Sequence, residues 1–158
     1  MRNALFYLGA VIVSTIIGFL VFDYFFDASF SQISNNNVQV VSRNLSGQFY
    51  THITFALSIG SIPVLYLIMT KMTNLFTIKH RLSAFGIIIG SGILLWQLRV
   101  YQLNSQSQKL SRLNISNEIK MQLDYEQLYF GIFLFVGFLL GTVLSILIFR
   151  NRNKTLKE

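Results

Sequence analysis

Four long runs of apolar residues, at 4–26, 53–70, 82–98 and 128–149, constrain this chain of 158 residues more than anything else in it. Each holds about 17–23 residues with almost no charge, the length a helix needs to cross the roughly 30 Å hydrocarbon layer of a bilayer. The sequence therefore predicts an all-α integral membrane four-helix bundle. With their flanks the spans are about 4–26, 51–71, 82–102 and 128–149, in one domain covering 1–158. The spans leave no room for a second, soluble domain.

Composition agrees with lipid-facing surface. Only 12% of the residues are charged, against about 25% in a soluble domain. A charged side chain at the bilayer centre costs at least about 2.5–3.5 kcal/mol. The chain has no cysteine, which excludes disulfides, thiolate metal sites and cysteine nucleophiles. The formal net charge of +7 does not point to nucleic acid, because the basic residues flank spans instead of lining one face.

Those flanks carry orientation. Arg2, Lys71, Lys79, Arg81, Arg150, Arg152, Lys154 and Lys157 fall on one side of a four-span hairpin arrangement, eight against the five of the other side. The second set is Arg43, Arg99, Lys109, Arg112 and Lys120, and with it lie Asp23, Asp27, Glu118, Asp124 and Glu126. A Lys/Arg excess on short loops marks the cytoplasmic side, so both termini are expected in the cytoplasm, in a bacterial inner (plasma) membrane. The basic inner rim would attract anionic lipid headgroups. The first span is expected to be retained, since its apolar run exceeds the roughly 7–15 residues of a signal-peptide core and ends in FDYFFD.

The outer segments are 27–50 and 103–127. In the first, the Asn35-Asn36-Asn37 run favours a turn, and Val38, Val40 and Val41 fit either a short strand or an ordered loop. The second is rich in helix formers. Apolar residues recur at helical spacing through Val100, Leu103, Leu110 and Leu113, and again through Ile115, Ile119 and Leu123. The expectation is that spans three and four extend outward as an extracytoplasmic helical hairpin, with a break near Asn114 and Ser116; a flexible loop is the alternative. The short inner connection predicts that spans two and three are antiparallel neighbours. Pro63, the chain's one proline, predicts a kink in span two, with Ser58 and Ser61 placed to satisfy the freed carbonyl. No internal repeat is evident.

Chemistry-bearing residues are few. The span interiors hold no charged or histidine side chain near the bilayer centre, which argues against an ion- or proton-coupled carrier. Small residues recur four apart in every span: Ser14 and Gly18, Ala56 and Gly60, Gly86 and Gly90, Gly137 and Gly141. This spacing lets helix backbones approach closely in lipid, either inside the bundle or against another protein; Gly92 and Gly131 add further small positions. At the outer boundary Asp23, His52 and Arg99 fall at one depth, counted from the basic residues on each span at about 1.5 Å per residue. They form a candidate polar binding cluster, either as an interfacial ion pair of Asp23 with Arg99 or as an outward-facing polar site with His52 as a proton acceptor beside Asp23. No catalytic constellation, metal-ligand spacing or cofactor motif is present.

Two functions remain from this reading. The first is a non-enzymatic accessory or assembly subunit, or interaction module, of a membrane complex. Its partners would be the bilayer and either another membrane protein or further copies of itself. The second is a channel or small-solute transporter acting as an oligomer. A membrane enzyme is third, and would need Asp23, His52 and Arg99 to converge on an open cavity.

Overall fold

The computed structural model describes residues 2–33, 38–41, 45–73, 78–113, 121–124 and 128–155. Along the chain run α1 (Arg2–Ile33), β1 (Val38–Val41), α2 (Leu45–Thr73), α3 (Ile78–Leu113), β2 (Met121–Asp124) and α4 (Phe130–Thr155). Even α4, with 26 residues, is about 39 Å long at 1.5 Å per residue, so each helix exceeds the hydrocarbon thickness. Within the described residues four helical stretches are long and apolar enough to cross a membrane: Leu5–Ile33, Ser46–Thr73, Ile78–Lys109 and Phe130–Arg150. The chain is a membrane protein built as a bundle of four helices.

Small residues decide which helices touch. A Cβ on Gly18 of α1 would lie 2.9 Å from the Ile59 Cβ and 3.0 Å from the Ala56 Cα of α2. A Cβ on Gly137 of α4 would lie 2.6 Å from the Gly92 Cα of α3, and one on Gly141 would lie 2.8 Å from the Ile88 Cα. Gly131 seats α4 on α2, where a Cβ would come within 2.7 Å of the Phe55 nitrogen. The Ser58 hydroxyl lies 2.7 Å from the Gly131 carbonyl and 2.6 Å from that of Thr54, and its one proton serves one of them at a time. The helices therefore pack in the order α1, α2, α4, α3.

That order corrects one expectation. α2 and α3 are not close neighbours; they meet little, through residues such as Tyr66 and Phe85, whose rings are 5.7 Å apart edge to face. The glycines of α4 draw it between them, and close backbone approach in lipid outweighs the short connection at 74–77.

Three apolar clusters fill the bundle along its length. One joins Phe22, Phe55, Leu65, Ile88, Leu134 and Phe138 in the middle. A second, toward the strands, joins Ile33, Val100, Leu103, Leu128 and Phe130. The third, toward the termini, joins Met69, Ala84 and Phe149. Buried hydroxyls mostly bond back to their own helix, as Thr142 does to the Phe138 carbonyl at 2.7 Å.

The segment at 103–127 departs from the expected hairpin. α3 does extend to Leu113, ahead of the break expected at Asn114 and Ser116, which lies outside the described residues with Ile115 and Ile119. The fourth helix does not extend to meet it. It begins at Phe130, and Met121–Asp124 is a strand paired in parallel with Val38–Val41, Val38 opposite Met121 and Val41 opposite Asp124. Valine suits a pleated surface, and cross-strand pairing with it overrides the helical preference of Met121, Gln122 and Leu123, since propensity yields to tertiary context. A parallel pair needs a long crossover; here α2 and α3 supply it, running away from the strand end and back.

The result is two successive helix–strand–helix units, α1-β1-α2 and α3-β2-α4, running the same way. α2 is one helix through Pro63. The Ser61 hydroxyl bonds the Ser58 carbonyl at 2.7 Å, so neither Ser58 nor Ser61 is directed at the Ile59 carbonyl that proline deprives of its donor.

Candidate functional site

Asp23 and His52 meet at the strand end of the α1–α2 contact, His52 Nε2 lying 3.5 Å from Asp23 Oδ1. The carboxylate is open, with its side chain 79% exposed, whereas the imidazole is 23% exposed. Positions 19, 22 and 23 share one face of α1, and this places His52 against rings as well as charge. Its ring centroid is 3.8 Å from that of Phe22 and 5.4 Å from that of Phe19. Asp27 follows one turn later on α1 and is exposed too.

From His52 a column of rings crosses the bundle. Phe22 meets Phe55 at 5.4 Å, Phe55 meets Phe25 at 4.8 Å, and Phe25 meets Trp96 of α3 at 4.4 Å. The Trp96 indole donates to the Ser29 hydroxyl at 3.0 Å, which donates to the Phe25 carbonyl at 2.6 Å. Gln97 and Gln32 join α3 to α1 one step further, at 2.8 Å.

Arg99 is drawn elsewhere. Its Nε donates to the Leu128 carbonyl at 3.2 Å, and its guanidinium carbon lies 5.3 Å from the Phe133 ring centroid and 5.9 Å from that of Tyr129. Asp23 therefore pairs with His52, and the expected Asp23–Arg99 pair does not form. Arg99 spans the corner leading into α4. Tyr129 there has φ 53°, the only non-glycine positive φ among the described residues, in a region where an L side chain costs about 1–2 kcal/mol.

Two hollows line the outer surface where α1 meets α2. One, about 300 Å³, is wholly apolar and lies among Thr15, Ile16, Phe19, Leu20, Ile53, Ala56 and Leu57. The other, about 560 Å³, lies toward the strands among Phe19, Ser46, Gln48, Phe49 and His52. Sequence reading missed the hollows because neither is a property of one segment. The nearest signal was the pairing of small residues: Gly18 on Ala56 brings the backbones together and leaves a furrow between the larger side chains beside them.

The small-residue pairs separate cleanly. Gly18, Ala56, Gly60, Gly137 and Gly141 lie in helix contacts, although Thr15 and not Ser14 meets Gly60. Gly86 and Gly90 are exposed on α3, and a Cβ on either would meet nothing within 4 Å. His80 lies beside Phe149, the rings tilted at 52° with centroids 5.6 Å apart. Among the described residues no group of three or more His, Asp or Glu is arranged to hold a metal ion. The carboxylate–imidazole pair can hold a hydrogen-bonding or cationic group.

Comparison with known protein families, curated proteins and solved structures finds no match to this chain.

Proposed function

We propose that this chain is a non-enzymatic subunit or interaction module of a membrane complex, and that it associates through the face of α3 carrying Gly86 and Gly90. One observation carries this reading. Of the four small-residue pairs, this one alone touches no helix of the bundle, while the same spacing elsewhere brings helices within backbone contact. Large apolar neighbours flank it, Leu82 at 71% exposure and Leu94 at 64%, so a second membrane helix would find both a groove and ridges to fill it.

In the proposed arrangement the termini and the eight basic residues of the inner rim lie on the cytoplasmic side, against anionic headgroups, and the strand end with the outer part of α3 faces the opposite side. The transporter alternative has less support, since Ser58, Thr142 and Ser145 are buried and bonded to backbone carbonyls, and a pore would have to be formed between copies.

The absence of cysteine makes the test clean. Single cysteines at Leu82 or Ile93 on the α3 face are expected to cross-link, to a second copy or to a partner subunit, in native membranes. A cysteine at Leu144 of α4 should not. Gly86→Ile with Gly90→Ile should abolish association and leave the monomer folded, because the new side chains meet open space. A protein that runs as a lone monomer in mild detergent, copurifies with nothing and cross-links at neither α3 position would refute the proposal.

A further inference from the structure

The two hollows on the α1–α2 surface adjoin at Phe19, which lines both, so the surface between these helices changes character along its length. Its deeper part is apolar and would stay free of water; in a bilayer an alkyl chain is what fills it. Its strand-end part offers the Ser46 hydroxyl, the Gln48 amide and the His52 imidazole. Beside that end the exposed carboxylates of Asp23 and Asp27 stand one turn apart on α1. Like charge repels a net-negative headgroup there, and an ammonium group is attracted.

We propose that this furrow binds one aminophospholipid from the leaflet on the strand side. An alkyl chain lies against Leu20 and Leu57, the ammonium meets Asp23 with Asp27 above it, and the polar ester region meets Gln48 and Ser46. Phe19 divides chain from headgroup. The small residues Gly18 and Ala56 make the furrow by bringing the helices together beneath it. The furrow is lined by α1 and α2 and the association surface belongs to α3, so each can be tested without altering a residue of the other.

The test uses the full chain in nanodiscs containing a trace of phosphatidylethanolamine with a photoreactive diazirine on its acyl chain, or phosphatidylglycerol with the same chain. Labelling is mapped by mass spectrometry at Leu20 and Leu57 and compared with Ile132 and Val136. The latter are exposed positions on α4 at matching depth, because Gly131 packs against Phe55. Phosphatidylethanolamine should label the furrow about three- to fivefold more than α4, the size of effect one exposed charge pair gives. Phosphatidylglycerol should show no such preference. Asp23→Asn with Asp27→Asn should reduce the preference to the phosphatidylglycerol level, and Leu20→Trp, which fills the furrow from an exposed position, should remove it; Leu57→Trp serves if the first does not fold. Equal labelling of furrow and α4, or equal behaviour of the two lipids, would overturn the proposal.

Discussion

The Ser58 hydroxyl of α2 and the Gly131 carbonyl of α4 lie 2.7 Å apart, a hydrogen bond between the two helices at the centre of the packing order. It forms where Gly131 lets the α4 backbone approach that of α2 at Phe55. In lipid a cross-helix bond of this kind is worth about 0.6 kcal/mol on average and about 1.7 at most. Ser58→Ala should therefore lower stability by about that amount, while Gly131→Val, whose side chain would collide with the Phe55 backbone, should lower it by about 3 kcal/mol or more. Unfolding in mixed micelles measures both. Equal stability of the two variants would show that α2 and α4 do not meet there.

Gly92 and Gly86 should respond differently to the same change. Gly92→Leu drives a side chain into Phe138 and should prevent α3 from seating on α4. Gly86→Leu meets open space and should leave the melting temperature of the monomer within about 2 °C, the scale of sub-kcal changes. Circular dichroism melts in detergent distinguish them.

The strand register is testable by disulfide. Gln39→Cys with Gln122→Cys places two thiols on opposed residues, within the Cα separation of about 4.4–6.8 Å that a disulfide needs. Gln39→Cys with Asp124→Cys is two residues out of register and should not close. Mobility on gels after mild oxidation, with and without reductant, reads the result. Efficient closure of only the second pair would reject the parallel register.

Tyr129 should tolerate glycine better than alanine. Both lose the ring beside Arg99, but only glycine relieves the positive φ, so Tyr129→Gly should be the more stable of the two by about 1 kcal/mol. The comparison cancels the lost ring contact. If alanine is as stable as glycine, the corner does not hold this conformation.

The lone tryptophan reports on the α1–α3 contact. Ser29→Ala removes the acceptor of the Trp96 indole without opening a large cavity. The emission maximum should shift, and stability should fall by about 1–3 kcal/mol, the cost of a buried donor left unpaired. An unchanged spectrum would mean that Ser29 is not the acceptor.

Much of this was legible along the chain. Runs of about 20 apolar residues identify the helices because the bilayer supplies no partner for backbone groups, and α3 runs past its span to Leu113 as its periodicity indicated. Asp23 and His52 were placed at one depth by counting residues. The choice of His52 over Arg99 as the partner of Asp23 was not legible, because depth along a helix says nothing about the direction a side chain faces; Arg99, at the same depth, turns to Leu128 instead. Gly86–Gly90 and Gly137–Gly141 read alike in sequence, yet one pair meets open space and the other meets α3. Met121–Asp124 read as helix because the segment is rich in helix formers and carries helical spacing through Leu123, and its actual partner lies far away at Val38–Val41.

The sequence by itself determined the number, length and apolar character of the helices, since these follow from local composition against a fixed membrane thickness. Only the tertiary structure decided that α4 lies between α2 and α3, that the two strands run parallel, and that the furrow opens beside Asp23 and His52. Each of these depends on surfaces from separate segments fitting at contact distance, and close-range fit is a property of pairs, which no single stretch of sequence carries.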